Sequence, residues 1–124
     1  MFQVEGHTLI FHGGHRRKFA DVIAEAIDFD DLVVVRLGTE AQRSNENVYG
    51  VDRQGNLLWQ IPKRSHSSAH SPYVGIYRHG PHVEAFNWDG QNLIIHPRTG
   101  LVMSESTPSF ETYTRRPRPT RRLM

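Results

Sequence analysis

The chain has 124 residues, which suits one domain of common size, and its lack of cysteine excludes disulfides and thiolate chemistry. It has no apolar run long enough to span a membrane, and its first residues carry neither the basic nor the apolar region of a secretory signal. We therefore expect a cytoplasmic protein without a membrane partner. The net charge of +2 is uneven, because residues 1–114 carry −3 and the last ten residues carry +5. This division argues against a uniformly basic surface for nucleic acid.

The N-terminal part of the chain alternates short apolar segments with glycine turns. Residues Phe2–Val4 and Thr8–Phe11 predict two strands joined by a hairpin turn at Gly6. Two glycines at 13 and 14 end this pattern, and residues 15–18 are expected to form a short basic loop. Apolar side chains at positions 19, 22, 23, 26 and 27 have helical spacing, which predicts a helix, although residues 23–29 also fit a strand.

The rest of the chain predicts strands and turns. The β-branched run Leu32–Leu37 predicts a buried strand, and Val48–Val51 with Leu57–Ile61 predicts a hairpin. Alternate residues of the second hairpin strand share one buried face. From Tyr73 to Ser104, four apolar segments are separated by turns of three or four residues. Such short connections predict a four-stranded antiparallel meander.

Two of the predicted hairpins share a spacing. Residues 47–58 align with residues 92–103 at an offset of 45 residues, each as a strand, a glycine turn and a strand. A period of about 40 to 50 residues with four strands per unit is typical of propeller blades. Because any two tight hairpins look alike, chance similarity explains the match equally well.

The motifs of this region also resemble known families. The segment from Val48–Asp52 through Gly55 to Trp59 resembles the quinoprotein-type propeller repeat, in which a strand ending in aspartate leads through a glycine turn to a strand with tryptophan. Residues 19–104 resemble a family of small uncharacterised bacterial proteins with a propeller-blade-like meander, on the stretches Ile23–Val35, Asn45–Asp52 and Gly55–Ile61. This resemblance implies that residues 23–29 are a strand followed by a turn at Asp30–Asp31, which overrides the helix. It implies no catalytic residue and no cofactor.

No residue pattern in the chain favours catalysis. The candidate metal ligands are two histidine pairs, each across a tight turn, and three acids that could complete a site: His12, His15, His79, His82, Asp30, Asp31 and Glu84. Histidine is, however, common in polar loops. The serines and histidines of residues 65–71 lie in a loop, which is a poor place for a preorganised nucleophile, and no phosphate-binding loop is present. We therefore expect a protein that is not an enzyme and holds no metal or cofactor.

Two features are candidates for binding a partner. Trp59 is expected in the core, whereas Trp88 lies in a predicted turn, where it would either contact a partner or fold over the sheet edge. The C-terminal tail is rich in arginines that would pair with phosphate or with an acidic groove. These arginines are Arg115, Arg116, Arg118, Arg121 and Arg122.

The predicted fold is all-β, a small antiparallel meander of roughly eight or nine strands that forms a sandwich or open barrel and resembles one to two propeller blades. Residues 1–110 form the single domain, and residues 111–124 form a basic tail expected to be disordered. The expected function is protein interaction through a strand edge or turn surface, as an adaptor, inhibitor or immunity-type partner of an unknown protein. The alternative is a nucleic-acid-associated accessory protein that uses the tail. The predicted core consists of Val33, Val35, Val48, Val51, Leu57, Trp59, Ile61, Val74, Ile76, Val83, Phe86, Leu93, Ile95 and Val102.

Overall fold

A computed structural model describes residues 2–39, 44–64 and 69–106, and every regular element in these ranges is a β-strand. The strands number eleven, more than the sequence predicts, and the all-β class is confirmed. Their bounds are β1 Phe2–Glu5, β2 Thr8–Phe11, β3 Arg16–Lys18, β4 Ile23–Asp28, β5 Leu32–Leu37, β6 Val48–Asp52, β7 Leu57–Gln60, β8 Tyr73–His79, β9 His82–Asn87, β10 Asn92–Ile95 and β11 Val102–Ser106.

The strands form three antiparallel meander sheets, each built from consecutive strands. The first sheet has the order β1-β2-β3, the middle sheet β4-β5-β6-β7, and the third sheet β8-β9-β10-β11. The four-stranded meander predicted from Tyr73 onward is the third sheet. One cluster of buried side chains joins the first sheet to the middle sheet, and a second cluster joins the middle sheet to the third. The middle sheet is therefore packed on both faces, and none of the three described sheets closes into a barrel.

The double packing of the middle sheet explains why β5 is a run of β-branched residues. Val33 and Val35 belong to the cluster shared with the first sheet, whereas Val34 belongs to the cluster shared with the third. All three side chains are 0% exposed. Because successive side chains of a strand point to opposite faces, a strand with two buried faces needs apolar residues throughout.

The helix that the spacing predicts over residues 19–27 is wrong, and the strand that the resemblance implies is confirmed. Strand β4 pairs with β5 from Ile23, opposite Leu37, to Asp28, opposite Val33. Ile23 and Ile27 contribute to different clusters, so the same apolar spacing serves two faces of a strand. Asp30 has a φ of 71°, which turns the chain between β4 and β5 as expected.

The basic loop predicted at residues 15–18 is also wrong from Arg16 onward, because β3 pairs with β2. Lys18 lies opposite Thr8, and Arg17 lies opposite Leu9. Arg17 is half-buried, and its Nε donates to the carbonyl oxygen of Gly55 at 2.8 Å. Its guanidinium therefore links the first sheet to the middle sheet, a contact that the predicted basic loop does not indicate.

Four predicted core residues are not buried, and β-bulges explain two of them. Val74 is the extra residue where the β8–β9 register shifts between Tyr73 and Gly75, and it is 38% exposed. Leu57 is 44% exposed because the β6–β7 register also shifts, so Leu57 and Trp59 no longer share a face. Val102 lies on the fully exposed strand β11, and Phe86 is half-buried.

The other ten predicted core residues are buried, and the sequence misses ten more. Five of those missed belong to the cluster between the first and middle sheets, and five belong to the cluster between the middle and third sheets. They are Leu9, Phe11, Phe19, Ile23, Phe29, Leu32, Val34, Leu37, Tyr73 and Ala85. The proposed boundary at residue 110 and the tail of residues 111–124 lie outside the described residues.

The three sheets share one turn geometry before their last strands. In each turn, a strand-ending residue donates its N–H to a carbonyl beyond the turn and accepts a bond from a glycine N–H. The sets are Phe11 with His15 and Gly14, Asp52 with Asn56 and Gly55, and His96 with Leu101 and Gly100. All three glycines have positive φ, at 100°, 85° and 76° respectively. The similarity seen in the sequence between two hairpins thus extends to a third.

The offset of 45 residues between the two hairpins holds from the turn glycine onward but not for the strand before the turn. Gly55 and Gly100 are 45 residues apart, as the sequence alignment has them. On the preceding strands, Val51 and Ile95 occupy equivalent places, opposite Val33 and Val83, and are 44 residues apart. The turn of the third sheet is therefore one residue longer.

Candidate functional site

One end of the stacked sheets collects the longer connections of the chain. In a meander, the loop after the second strand and the segment leading to the next sheet lie at the same end. Among the described residues these are 19–22, 38–39, 44–47, 61–64, 69–72 and 88–91, which we call the linker end. The turn at Gly6 also lies there, because its carbonyl accepts the N–H of Ile23 at 2.9 Å.

Trp88 projects from a tightly bonded turn at the linker end. The side chain of Asn87 accepts the N–H of Gln91 at 2.9 Å and donates to the Gln91 side-chain oxygen at 2.7 Å. Asn87 and Gln91 are 2% and 3% exposed, whereas Trp88 is 70% exposed. Of the two alternatives left by the sequence, the exposed position is the one the ring takes. The bonds between Asn87 and Gln91 fix the turn that carries Trp88, so a partner would not need to order this turn on binding.

The backbone of Trp88 is held in a place that the repeat defines. Its N–H donates to the carbonyl of Pro72 at 2.9 Å, as the N–H of Gly38 donates to the carbonyl of Val22 at 2.7 Å. The two pairs are offset by 50 residues, because Trp88 lies 50 residues after Gly38 and Pro72 lies 50 residues after Val22. A large aromatic ring thus occupies, in the third sheet, a position where the middle sheet has glycine.

A smaller apolar residue lies next to this turn. Val74, the bulged residue of β8, follows Tyr73, which pairs with Asn87. Trp59 contrasts with Trp88, because it is 8% exposed and its indole N–H donates to the carbonyl of Pro97 at 2.6 Å. The predicted core role of Trp59 is confirmed.

Two asparagines fix the segment that leads into the third sheet. Asn47 is 3% exposed, donates to the carbonyls of Leu37 and Tyr73, and accepts the Tyr73 N–H at 2.8 Å. Asn45 accepts the N–H of Ser71 at 2.9 Å and donates to the carbonyl of Ala69. The Asn-Glu-Asn motif therefore joins two sheets, a role the sequence analysis missed. Buried polar residues flanking a predicted strand were the signal that could have found it.

A charged pair makes a second link between the same sheets. The Nε of Arg36 donates to the Glu25 carboxylate at 2.6 Å, and the same oxygen accepts the N–H of Ile76 at 3.1 Å. The Arg36 side chain is 13% exposed and the Glu25 side chain is 37% exposed, so solvent reaches the carboxylate more than the guanidinium. One carboxylate oxygen of Glu25 thus accepts from a guanidinium on the neighbouring strand and from a backbone amide of the third sheet, which favours a structural role.

Polar groups are also buried beneath the linker end. Arg64 forms an ion pair with Glu105 of β11. The hydroxyls of Ser71 and Tyr73 are buried and have no hydrogen-bond partner among the described residues. Burial raises the pKa of Tyr73 to about 12, although the positive charge of Arg64 opposes the shift. A neutral phenol is therefore maintained far above neutral pH.

The candidate metal ligands are not brought together in the described residues, where no three histidine, aspartate or glutamate side chains form a metal-binding group. His79 and Glu84 do approach each other, at 3.4 Å. The Asp31 carboxylate instead accepts hydrogen bonds from Nη2 and Nε of Arg98, at 2.9 and 3.0 Å. This bidentate pair ties the turn before β5 to the turn before β11.

Two further sequence predictions concern the tail and the membrane. The arginines Arg115, Arg116, Arg118, Arg121 and Arg122 lie outside the described residues. In the part of the chain that is described, no helix is long and apolar enough to cross a membrane.

Comparison with known proteins identifies a family without assigning an activity. A family model described as a domain of unknown function, DUF7957, matches residues 1–107. No curated protein matches the chain. The matched region contains all eleven strands and Trp88, and it ends before the arginines of the tail. The chain therefore belongs to the DUF7957 family.

Proposed function

We propose that this protein is a non-enzymatic interaction module that binds one protein partner through the linker end, with Trp88 as the main contact. The observation that supports this most strongly is an indole 70% exposed on a turn whose flanking residues, Asn87 and Gln91, are almost fully buried. Rigid, exposed tryptophans are enriched among the residues that dominate binding energies at protein interfaces. The module acts as an adaptor or inhibitor, and it works in the cytoplasm.

We further infer that the three sheets are successive blades of a propeller-type arc. The repeated glycine turns and the spacing of 50 residues between Val22–Gly38 and Pro72–Trp88 support this inference. In such an arc, the Gly6 turn of the first sheet, the residues that follow β5 and the turn that follows β9 lie side by side. The partner then meets a surface composed of loops from all three sheets rather than one isolated turn.

The test compares two exposed apolar residues at opposite ends of the third sheet. Trp88 lies at the linker end, and Leu101, which is 65% exposed, follows the turn at the opposite end. Full-length chains carrying Trp88→Ser or Leu101→Ser are used as bait in lysate of the source organism, with and without nuclease. Thermal unfolding of both variants should match that of the unsubstituted chain, because exposed side chains contribute little to stability.

We expect a stoichiometric protein that survives nuclease and is captured by the unsubstituted chain and by the Leu101→Ser variant, but not by Trp88→Ser. Its binding should shift the fluorescence of Trp88 to shorter wavelength, because the indole leaves water. Equal capture by the two variants would refute the role of Trp88. Recovery of nucleic acid alone, lost with nuclease, would favour the alternative in which the arginine tail binds phosphate.

A further inference from the structure

Among the described residues, the first sheet has three strands, one fewer than each of the other two sheets. Matching the turns at Gly14 and Gly55 makes β1-β2-β3 equivalent to β5-β6-β7, and hence to β9-β10-β11. In the middle and third sheets, another strand pairs beyond these three, β4 on β5 and β8 on β9. In the first sheet, β1 is itself the edge of the described sheet.

The strand pairings show which residue of β5 is equivalent to each residue of β1. Val4 pairs with Leu9 and corresponds to Val34, which pairs with Gly50. Val34 is 0% exposed and Val4 is 38% exposed. In the middle sheet, Ile27 of β4 lies opposite Val34 and packs on the cluster between the sheets. Val4 therefore has the core-facing position without the neighbouring strand that covers it.

The buried cluster between the first and middle sheets is also incompletely covered beside Val4. Phe2 of β1 and Ala26 of β4 are both partly buried members of this cluster. In the third sheet, the added strand β8 is in contact with β4 of the preceding sheet. A strand added to β1 would lie beside β4 in the same way, and it would cover Val4, Phe2 and Ala26 together.

We propose that the β1 edge binds an extended segment of a partner protein, which adds to the first sheet as an antiparallel strand. Exposed strand edges offer unpaired backbone groups to such segments, and alternate side chains give selectivity. The segment carries an apolar residue opposite Val4, in the place that Ile27 has opposite Val34. This site uses the backbone edge of β1, whereas the surface proposed above has Trp88 as its main contact.

Charge determines the rest of the segment. Glu5 is exposed on the face of β1 opposite to Val4. Opposite charges on directly paired strand positions are favourable, whereas like charges oppose pairing. The segment therefore carries lysine or arginine opposite Glu5, next to the apolar residue.

The experiment selects nine-residue peptides from a random library displayed on phage, with the full chain as the target. We expect enriched peptides in which apolar residues alternate with polar ones and include a basic residue. In NMR titrations, the best peptide should shift the amide signals of Phe2–Glu5 and slow their hydrogen exchange. Peptides that bind elsewhere, or β1 amides already protected in the peptide-free chain, would overturn the proposal.

Matched variants on the two faces of β1 make the test specific. Val4→Asn should weaken peptide binding by about tenfold, because the apolar contact opposite it is lost. Gln3→Asn, on the other face of the same strand, should change the affinity by less than about threefold. Trp88→Ser should leave the peptide affinity unchanged, so failure of this site and failure of the Trp88 surface are distinguishable. Equal effects of Val4→Asn and Gln3→Asn would also overturn the proposal.

Discussion

The two interfaces between sheets occupy equivalent positions but use different chemistry. Between the first and middle sheets, Arg17 donates to the carbonyl of Gly55 at 2.8 Å. Between the middle and third sheets, Trp59 donates to the carbonyl of Pro97 at 2.6 Å. Arg17 and Trp59 are equivalent residues, since they lie opposite Leu9 and Gly50 respectively.

A second pair of equivalent hydrogen bonds, at the first residues of the middle and third sheets, also uses acceptors of different type. The N–H of Ile23 is accepted by the backbone carbonyl of Gly6, whereas the N–H of Tyr73, 50 residues later, is accepted by the side chain of Asn47. The acceptor position is retained while the group that fills it changes. The comparison teaches that the repeat is defined by hydrogen-bond positions at the sheet junctions, and that side chains of unrelated type satisfy them.

The largest expected effect comes from the glycine on which Trp59 packs. A Cβ built on Gly100 would lie 2.7 Å from Cγ of Trp59, and Gly100 has a φ of 76°. Gly100→Ala should therefore lower the free energy of unfolding by about 3 to 4 kcal/mol, from combined overpacking and backbone strain. Chemical denaturation of the variant and the unsubstituted chain measures this difference.

Gly14 provides the matched control in the first sheet. It occupies the equivalent turn position with a φ of 100°, but an added Cβ would have nothing within 4 Å. Gly14→Ala should cost about 1 kcal/mol, the strain component alone. If the two substitutions lowered the free energy of unfolding equally, the close packing of Trp59 on Gly100 would not distinguish the interface between the middle and third sheets from the one between the first and middle sheets.

The next effect concerns Asn47, the polar link between the middle and third sheets. Asn47→Ala removes bonds to Leu37 and Tyr73 and leaves buried backbone groups unpaired, so a loss of about 2 to 3 kcal/mol is expected. Asn45→Ala removes bonds at a less buried site and should cost about 1 kcal/mol. Thermal unfolding of both variants tests the order, and a larger loss for Asn45→Ala would contradict it.

The sequence predicts the fold wherever local pattern and tertiary packing agree. The run at β5 and the four apolar segments from Tyr73 to Ser104 lie in strands as expected. At Leu57 and Val74, the strict alternation on which burial was predicted is interrupted by bulges. A single inserted residue changes which face later residues occupy, and no feature of composition marks it.

The sequence does not reveal that the first sheet has the same glycine turn as the other two sheets, for a related reason. The residues that end the strand before each equivalent turn are Phe11, Asp52 and His96, which share no chemistry. Their common role is performed by backbone groups, which every residue type carries. The exposure of Trp88 was one of two alternatives, because a turn does not determine the direction of its side chains. Partner binding by Trp88 stays a prediction.

A smaller effect distinguishes Trp59 from Arg17. Trp59→Phe removes a buried hydrogen bond and part of a ring that is 8% exposed, so we expect a loss of about 2 kcal/mol. Arg17→Met keeps the length of the half-buried side chain and loses one bond to Gly55, at a cost of about 1 kcal/mol. Urea unfolding of the two variants gives the comparison. A greater loss in Arg17→Met would show that the first interface depends more on its polar link.

The smallest effect at neutral pH involves the unpartnered hydroxyl of Tyr73. Tyr73→Phe removes a buried group that has no hydrogen-bond partner among the described residues, so stability at pH 7 should change by less than about 1 kcal/mol. At high pH the hydroxyl matters more. The unfolded chain loses this proton near pH 10, whereas burial raises the folded pKa to about 12.

Stability of the unsubstituted chain should therefore fall as the pH rises from 10 to 12, because the unfolded state releases the Tyr73 proton first. Tyr73→Phe should lessen this fall by up to about 2 kcal/mol. Urea unfolding across this pH range measures the slope, with Tyr77→Phe, at a ring that is 50% exposed, as the control for loss of a hydroxyl. An unchanged slope in Tyr73→Phe would mean that the phenol ionises with little penalty. Water would then reach the Tyr73 hydroxyl, in contrast to the indole of Trp59, which is 8% exposed and donates to the carbonyl of Pro97.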